Sequence, residues 1–142
     1  LAVVTKLIAA GADVDKVTAN NARTPLYTAA QNGNLAIVME LIAAGTDVDK
    51  ALTTTGTTPL LIASRRGHLT VVTKLIAAGA IVNKARTIDG CTPLFIAAQE
   101  GHLAVVTKLV AAGADKSHRW KNRTALEQAQ RMNKHAVAAF LS

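Results

Sequence analysis

Histidine, cysteine and closely spaced aspartates are the residues in this chain through which chemistry could run. His68 and His102 each follow a glycine in Gly-His-Leu, and imidazoles can ligate a metal or move a proton. Their recurrence in one short setting points instead to a structural duty. Cys91 is the single cysteine. A zinc site needs paired ligand spacing, and a nucleophilic cysteine needs a base and a third group converging on it; neither pattern surrounds Cys91. Asp13-Val14-Asp15 and Asp47-Val48-Asp49 pair their carboxylates, yet two carboxylates fall short of the six or more oxygens that calcium takes. Asn122-Arg123-Thr124 matches a glycosylation acceptor, but the N-terminus LAVVTKLIAAG lacks the charged start and small-residue cleavage site of a secretory leader. No catalytic residue, cofactor or metal is expected, and one cysteine that cannot pair internally favours a reducing, cytoplasmic or nuclear setting.

The elements that must position these side chains repeat. Of 142 residues, 50% are hydrophobic and 18% charged, too apolar for a disordered chain. Aromatics make up 3%, namely Tyr27, Phe95, Trp120 and Phe140, so the core must be thin layers of Ala, Val, Leu and Ile. Gly, Lys, Asp or Asn breaks every apolar stretch before the roughly 18 residues of a membrane span. Gly11, Gly45, Gly79 and Gly113 recur every 34 residues, as do Pro25, Pro59 and Pro93. Thr24, Thr58, Thr92 and Thr124 are spaced 34, 34 and 32, so the last junction is two residues shorter.

Each unit predicts a short helix opened by an N-capping Thr and a Pro in its first turn, at 25–32, 59–66, 93–100 and 125–132. Gly33, Gly67 and Gly101 suit its C-terminus. A second helix follows at 35–44, 69–78 and 103–112, with apolar residues such as Leu69, Val72, Leu75 and Ile76 at helical spacing. The Thr, Asp and Gly of the remaining dozen residues suit an extended hairpin loop.

The segments TPLYTAAQNGNLAIVMELIAAGTDVDK, TPLLIASRRGHLTVVTKLIAAGAIVNK and TPLFIAAQEGHLAVVTKLVAAGADK resemble ankyrin repeats over essentially the whole chain. The Trp, Leu-Gly and Tyr pattern of tetratricopeptide repeats is absent. The resemblance implies an all-α solenoid of stacked helix-turn-helix units with projecting β-hairpin loops, first helices on the concave face and second helices on the convex face. It divides the chain into a partial repeat at 1–18, full repeats at 19–52, 53–86 and 87–118, and a capping-like repeat at 119–142. Ala29, Ala63, Ala97 and Ala129 fall where neighbouring helices approach closely. In this family His68 and His102 are turn and helix-start residues, the Asp-Val-Asp segments bond local backbone, and Cys91 lies on the exposed concave side.

Departures from the family pattern carry information as well. The usual His after Thr-Pro-Leu is replaced by Tyr27, Leu61, Phe95 and Glu127, which puts the rigidity of the loops in doubt. The hairpin glycine is kept as Gly56 and Gly90 but becomes Ala22 and Asn122. Asn tolerates positive φ and Ala does not, so Ala22 is expected to be strained or in a different turn. The 34-residue period exceeds the family's common length of about 33, so longer tips are expected. Leu1 to Ala10 reads as a second helix without its first, as in a fragment of a longer array, leaving Val3, Val4, Leu7 or Ile8 partly uncovered. Glu127, Gln128, Gln130, Arg131, Asn133 and Lys134 suit the polar outer face of a cap.

By resemblance, partners meet hairpin tips and the exposed side of first helices. Carried over by position, these are Asn20, Asn21, Arg23, Gln31 and Asn32, then Thr54, Thr55, Thr57, Arg65 and Arg66, then Ile88, Asp89, Cys91, Gln99 and Glu100, with Tyr27 and Phe95 on the same helices. The last unit supplies Trp120, Lys121, Arg123, Arg131 and Met132. Trp120 either anchors a partner or folds back over the end of the stack. Lys6, Lys74 and Lys108, and likewise Lys16, Lys50 and Lys84, read as solvated rows.

Sixteen Lys and Arg against nine Asp and Glu leave a net charge of +7. From Asp115 onward six bases face two acids. The charge favours an anionic partner. The expected function is a non-catalytic protein-interaction module with an acidic protein or peptide partner. Binding of nucleic acid or another polyanion through the basic C-terminal half, with Trp120 stacking on bases, is the alternative.

Overall fold

A computed structural model of the chain describes residues 2–19 and 22–142. Among the described residues the helices are α1 (Ala2–Ala9), α2 (Pro25–Asn32), α3 (Leu35–Ala43), α4 (Pro59–Arg66), α5 (Leu69–Ala77), α6 (Pro93–Glu100), α7 (Leu103–Ala111), α8 (Ala125–Arg131) and α9 (His135–Leu141). Helices α1 to α8 each lie within a residue or so of the span the sequence predicts. Thr24, Thr58 and Thr92 hold an extended backbone while their hydroxyls accept the N–H groups of Tyr27, Leu61 and Phe95. Proline then occupies a first turn that has no use for its missing donor. At Thr124 the cap is completed by Glu127, whose carboxylate accepts the Thr124 N–H at 2.8 Å. Gly67 closes α4 at φ 76°, and its N–H reaches back to the carbonyls of Ala63 and Ser64.

The first helices α2, α4, α6 and α8 stack in one row, and α3, α5, α7 and α9 stack behind them. Leu26, Leu60 and Leu94 of the first row meet Val38, Leu41, Val72, Leu75, Val106 and Leu109 of the second, and all are buried. Ala63, Ala97 and Ala129 are fully buried between the layers and Ala29 nearly so. Small side chains there let the helices close up, and aliphatics alone fill the core. The first end is thinner. Helix α1 buries no residue, and Val3 and Leu7 stay 69% and 55% exposed. Beside it a groove of about 320 Å³ runs past Val4, Pro25, Thr28 and Ala29.

The loops are tighter than the β-hairpins expected of them. Among the described residues the one β-bridge joins Trp120 and Arg123. In the first three loops the N–H of Thr18, Leu52 and Arg86 donates to the carbonyl of Arg23, Thr57 and Cys91 at 3.0, 3.0 and 2.8 Å. A four-residue tip lies between each pair. Its last residue, Ala22, Gly56 or Gly90, takes positive φ (52°, 71°, 77°). Ala22 therefore makes the same turn as its glycine counterparts and carries the strain of doing so.

In the fourth loop Trp120 and Arg123 exchange both backbone bonds, at 2.9 and 3.0 Å. Only Lys121 and Asn122 form its tip, at φ 49° and 62°, the pair of positive values that a type I′ turn requires. The two residues missing from the last period are missing here, so the tips are not uniformly long.

Candidate functional site

The chemistry-bearing side chains are spent on joining repeats. The Nε2–H of His68 donates to the Gln31 carbonyl at 3.1 Å, and that of His102 to the Arg65 carbonyl at 2.9 Å. Each ring lies so close to the preceding helix end that a Cβ on Gly33 or Gly67 would come within 2.6 Å of its Nδ1. Asp13 and Asp47 accept N–H groups two residues on, as local turn residues do. Asp15 and Asp49 reach further than local backbone. Asp15 accepts the Asp47 N–H at 3.2 Å and the Thr46 hydroxyl, and Asp49 accepts the Ile81 N–H at 3.0 Å. Asn83 continues the series, accepting the Asp115 N–H at 2.9 Å.

Lys50 and Lys84 complete these stitches and so depart from the solvated row expected of them. Their ammonium groups donate to the carbonyls of Asp15 and Asp49 at 3.1 and 3.0 Å. Among the described residues no group of His, Cys, Asp or Glu is disposed to hold a metal ion. On the exposed Asp115, the Ser117 hydroxyl and N–H hold the carboxyl below its usual range.

Cys91 is not on an exposed side. It is fully buried, and burial pushes its thiol from an ordinary 9.0 up to about 11, against the opposing pull of the Arg86 charge. A pKa raised in the folded state makes the neutral thiol's contribution whole below the unfolded value near 9, and lost as pH rises through 11. Native protein is expected to resist thiol alkylation at neutral pH. Its unfolding free energy in urea should fall more steeply above pH 9 than that of Cys91→Ala, the difference reaching about 1 kcal/mol at pH ~10. Parallel pH profiles would show that the thiol is not held neutral by the fold.

The positions named for partner contact divide sharply. Asn32, Thr54, Arg65, Arg66, Ile88, Asp89, Glu100, Lys121, Arg131 and Met132 are exposed, while Arg23, Gln31, Thr55, Gln99 and Arg123 are half-buried. Tyr27, Thr57, Cys91 and Phe95 face inward, at 5%, 6%, 0% and 1% exposure, and offer a partner no surface. The third residue of these helices, Tyr27, Leu61 or Phe95, is tucked beneath the loops. Asn20 and Asn21 lie outside the described residues.

Leu61, Cys91, Phe95 and Ile96 form a second apolar cluster, and Trp120 packs on it. The Trp120 ring meets Phe95 edge-on at 4.9 Å and 67°. Its other neighbour is Lys121, whose ammonium sits over the ring at 4.3 Å. Trp120 thus covers the stack from the hairpin position that Leu52 and Arg86 occupy in the loops before it. Gln128, expected on a polar outer face, is also buried, and its amide donates to Gln99 Oε1 at 3.1 Å across α6 and α8. His118, which the sequence reading passed over, donates Nε2–H to the Gly90 carbonyl at 3.0 Å and binds the fourth loop to the third. Only its place two residues before Trp120 could have drawn attention to it.

Charges on this face are unevenly matched. Asp89 is held by Arg86 at 2.6 Å, Glu127 by Arg119 at 3.2 Å, and Glu100 accepts the Gln99 amide. Among the described residues these are the two ion pairs, so Arg65, Arg66 and Arg131 have none. What results is a pair of first-helix ends, of α4 and α8, with guanidinium groups free of ion pairs, and between them the end of α6 with Glu100, which has only a neutral amide for a partner. No curated protein matches the chain. A family model described as ankyrin repeats (three copies) matches residues 1–86 and again 70–142. Both matches fall on the stacked helix pairs and together they span the chain, which therefore belongs to the ankyrin-repeat family, whose repeats are in general protein–protein interaction modules.

Proposed function

We propose that this chain is a non-catalytic module that holds an acidic segment of a partner protein across its loop tips and the exposed ends of its first helices. The observation that carries the reading is the charge imbalance on that face. Arg65, Arg66 and Arg131 are exposed without ion pairs, whereas Asp89 and Glu127 are already satisfied within the chain, and of the acids of this face Glu100 alone, with no ion pair of its own, is left to offset them. Exposed guanidinium groups can chelate carboxylates with two parallel hydrogen bonds and steer their approach.

The expected test outcome is specific. Arg65→Glu with Arg66→Glu should lower capture of a protein partner from lysate about tenfold or more, while the melting temperature moves little because both side chains are solvated. Capture that is unchanged places the interface elsewhere. Recovery that disappears with nuclease would favour the polyanion reading. Against that reading, Trp120 is the single tryptophan and its ring is edge-packed by Phe95, so successive bases would find one stacking platform at most.

A further inference from the structure

We infer that the step between the third and fourth loops is an anchor subsite, where one aliphatic or aromatic side chain of the partner docks beside a carboxylate of the same partner. The inference rests on the acidic-partner reading and names what that partner must carry besides charge.

The step comes from unequal loops. The second and third tips are packed together: the Ile88 N–H donates to the Thr55 carbonyl at 3.2 Å, and a Cβ on Gly56 would sit 2.6 Å from the Thr87 nitrogen. The fourth loop turns back two residues earlier, at Lys121 and Asn122. A Cβ on Gly90 would accordingly meet nothing within 4 Å. The third tip is left standing above its neighbour, with Ile88 65% exposed at its crest. His118, bonded to the Gly90 carbonyl at 3.0 Å, holds the base of the fourth loop against that wall.

The chemistry of wall and floor selects the occupant. Ile88 offers apolar area in a region otherwise polar, and Trp120 lies in the adjoining loop with Lys121 over its ring. Lys121 has no ion pair. A partner carboxylate can draw the ammonium off the ring, freeing the indole face for the neighbouring apolar side chain. Asp89, the one acid at the crest, is occupied by Arg86 and does not repel such a carboxylate at full strength. A nucleic acid could satisfy Lys121 with a phosphate and stack a base on the freed indole, but it carries no aliphatic group to pack on Ile88, so an acidic peptide with an apolar residue fits better.

Two synthetic peptides serve as probes, glutamate-rich and identical except for a central Leu or a central Ala, with a glutamine-rich copy of the Leu peptide as control. Trp120, the single tryptophan, reports binding by its fluorescence. The Leu peptide should bind roughly tenfold tighter than the Ala peptide. Ile88→Ala should shrink that preference to about twofold or less, with affinity for the Ala peptide and thermal midpoint unchanged, because the Ile88 side chain stands in solvent and its backbone bond to Thr55 is kept in the variant. Equal binding of the two peptides to the unmodified chain, or a preference that survives Ile88→Ala, overturns the anchor and leaves the acidic-partner reading standing. A glutamine-rich copy that binds as well as its glutamate-rich parent overturns both. Oligothymidylate displacing the Leu peptide at equal charge concentration, with no effect of Ile88→Ala, would transfer the site to nucleic acid and also overturn the anchor.

Discussion

Gly56→Ala is expected to lower unfolding free energy by about 2 to 3 kcal/mol, read from urea unfolding. One part is conformational. An L-residue held at the φ of 71° seen at Gly56 costs roughly 1 to 2 kcal/mol. The other part is a collision with backbone, since the new methyl would lie 2.6 Å from the Thr87 nitrogen. Backbone cannot swing aside as a side chain does, so the third loop must lift, stretching the Ile88 to Thr55 bond that ties the tips and giving up about 1 kcal/mol more. Gly90→Ala is the matched control, at φ 77° with open space around the added carbon. It should pay only the conformational part. Equal losses in the two variants would mean that the loops do not support each other.

Ala63→Leu should cost about 1 to 3 kcal/mol, because a branched side chain has no room at a fully buried position in the middle of the first-helix row. Repeats contact only their neighbours, so a wedge at this joint also weakens the coupling between the two halves of the stack. The denaturation curve should broaden or split as well as shift. Ala104→Leu, on the exposed side of α7, is the comparison and should stay within about 0.5 kcal/mol of the unmodified chain. If Ala63→Leu behaves like Ala104→Leu, the helices of the first row are not packed as closely as the buried alanines imply.

Helix positions were legible because each end carries its own local chemistry. A capping Thr, a Pro that needs no donor and a Gly able to turn left act within four residues, and the 34-residue period then repeats the result. Which residues face solvent was less legible. Phe95 belongs to a short helix flanked by α4 and α8, and Tyr27 to one flanked by α4 alone, so their inward turn is decided by repeats that are distant in sequence. The same holds for Lys50 and Lys84. Their row looks solvated in one repeat, and acquires its carbonyl partners only when the preceding repeat is stacked against it. Trp120 was undecided between two roles because the shortened last loop moves it from a tip to a base, and spacing alone does not say where a deletion falls. The exposed Arg65 and Arg66 could be read directly, since guanidinium groups without partners stay in water.

The stitches at the base of the loops make the stack a chain of links in series. Asp15 to Asp47, Asp49 to Ile81 and Asn83 to Asp115 each join one repeat to the next, so tension along the long axis passes through all three. The first two use a carboxylate, and a charge-assisted bond is roughly twice as strong as a neutral one. The third replaces that strength with number: the Asn83 amide accepts the Asp115 N–H and also donates to the Gly113 carbonyl at 3.2 Å, and His118 adds its bond to Gly90 at the same joint. Load along the stack is therefore carried across every joint, by one charged bond where the loops are long and by several neutral ones beside the step.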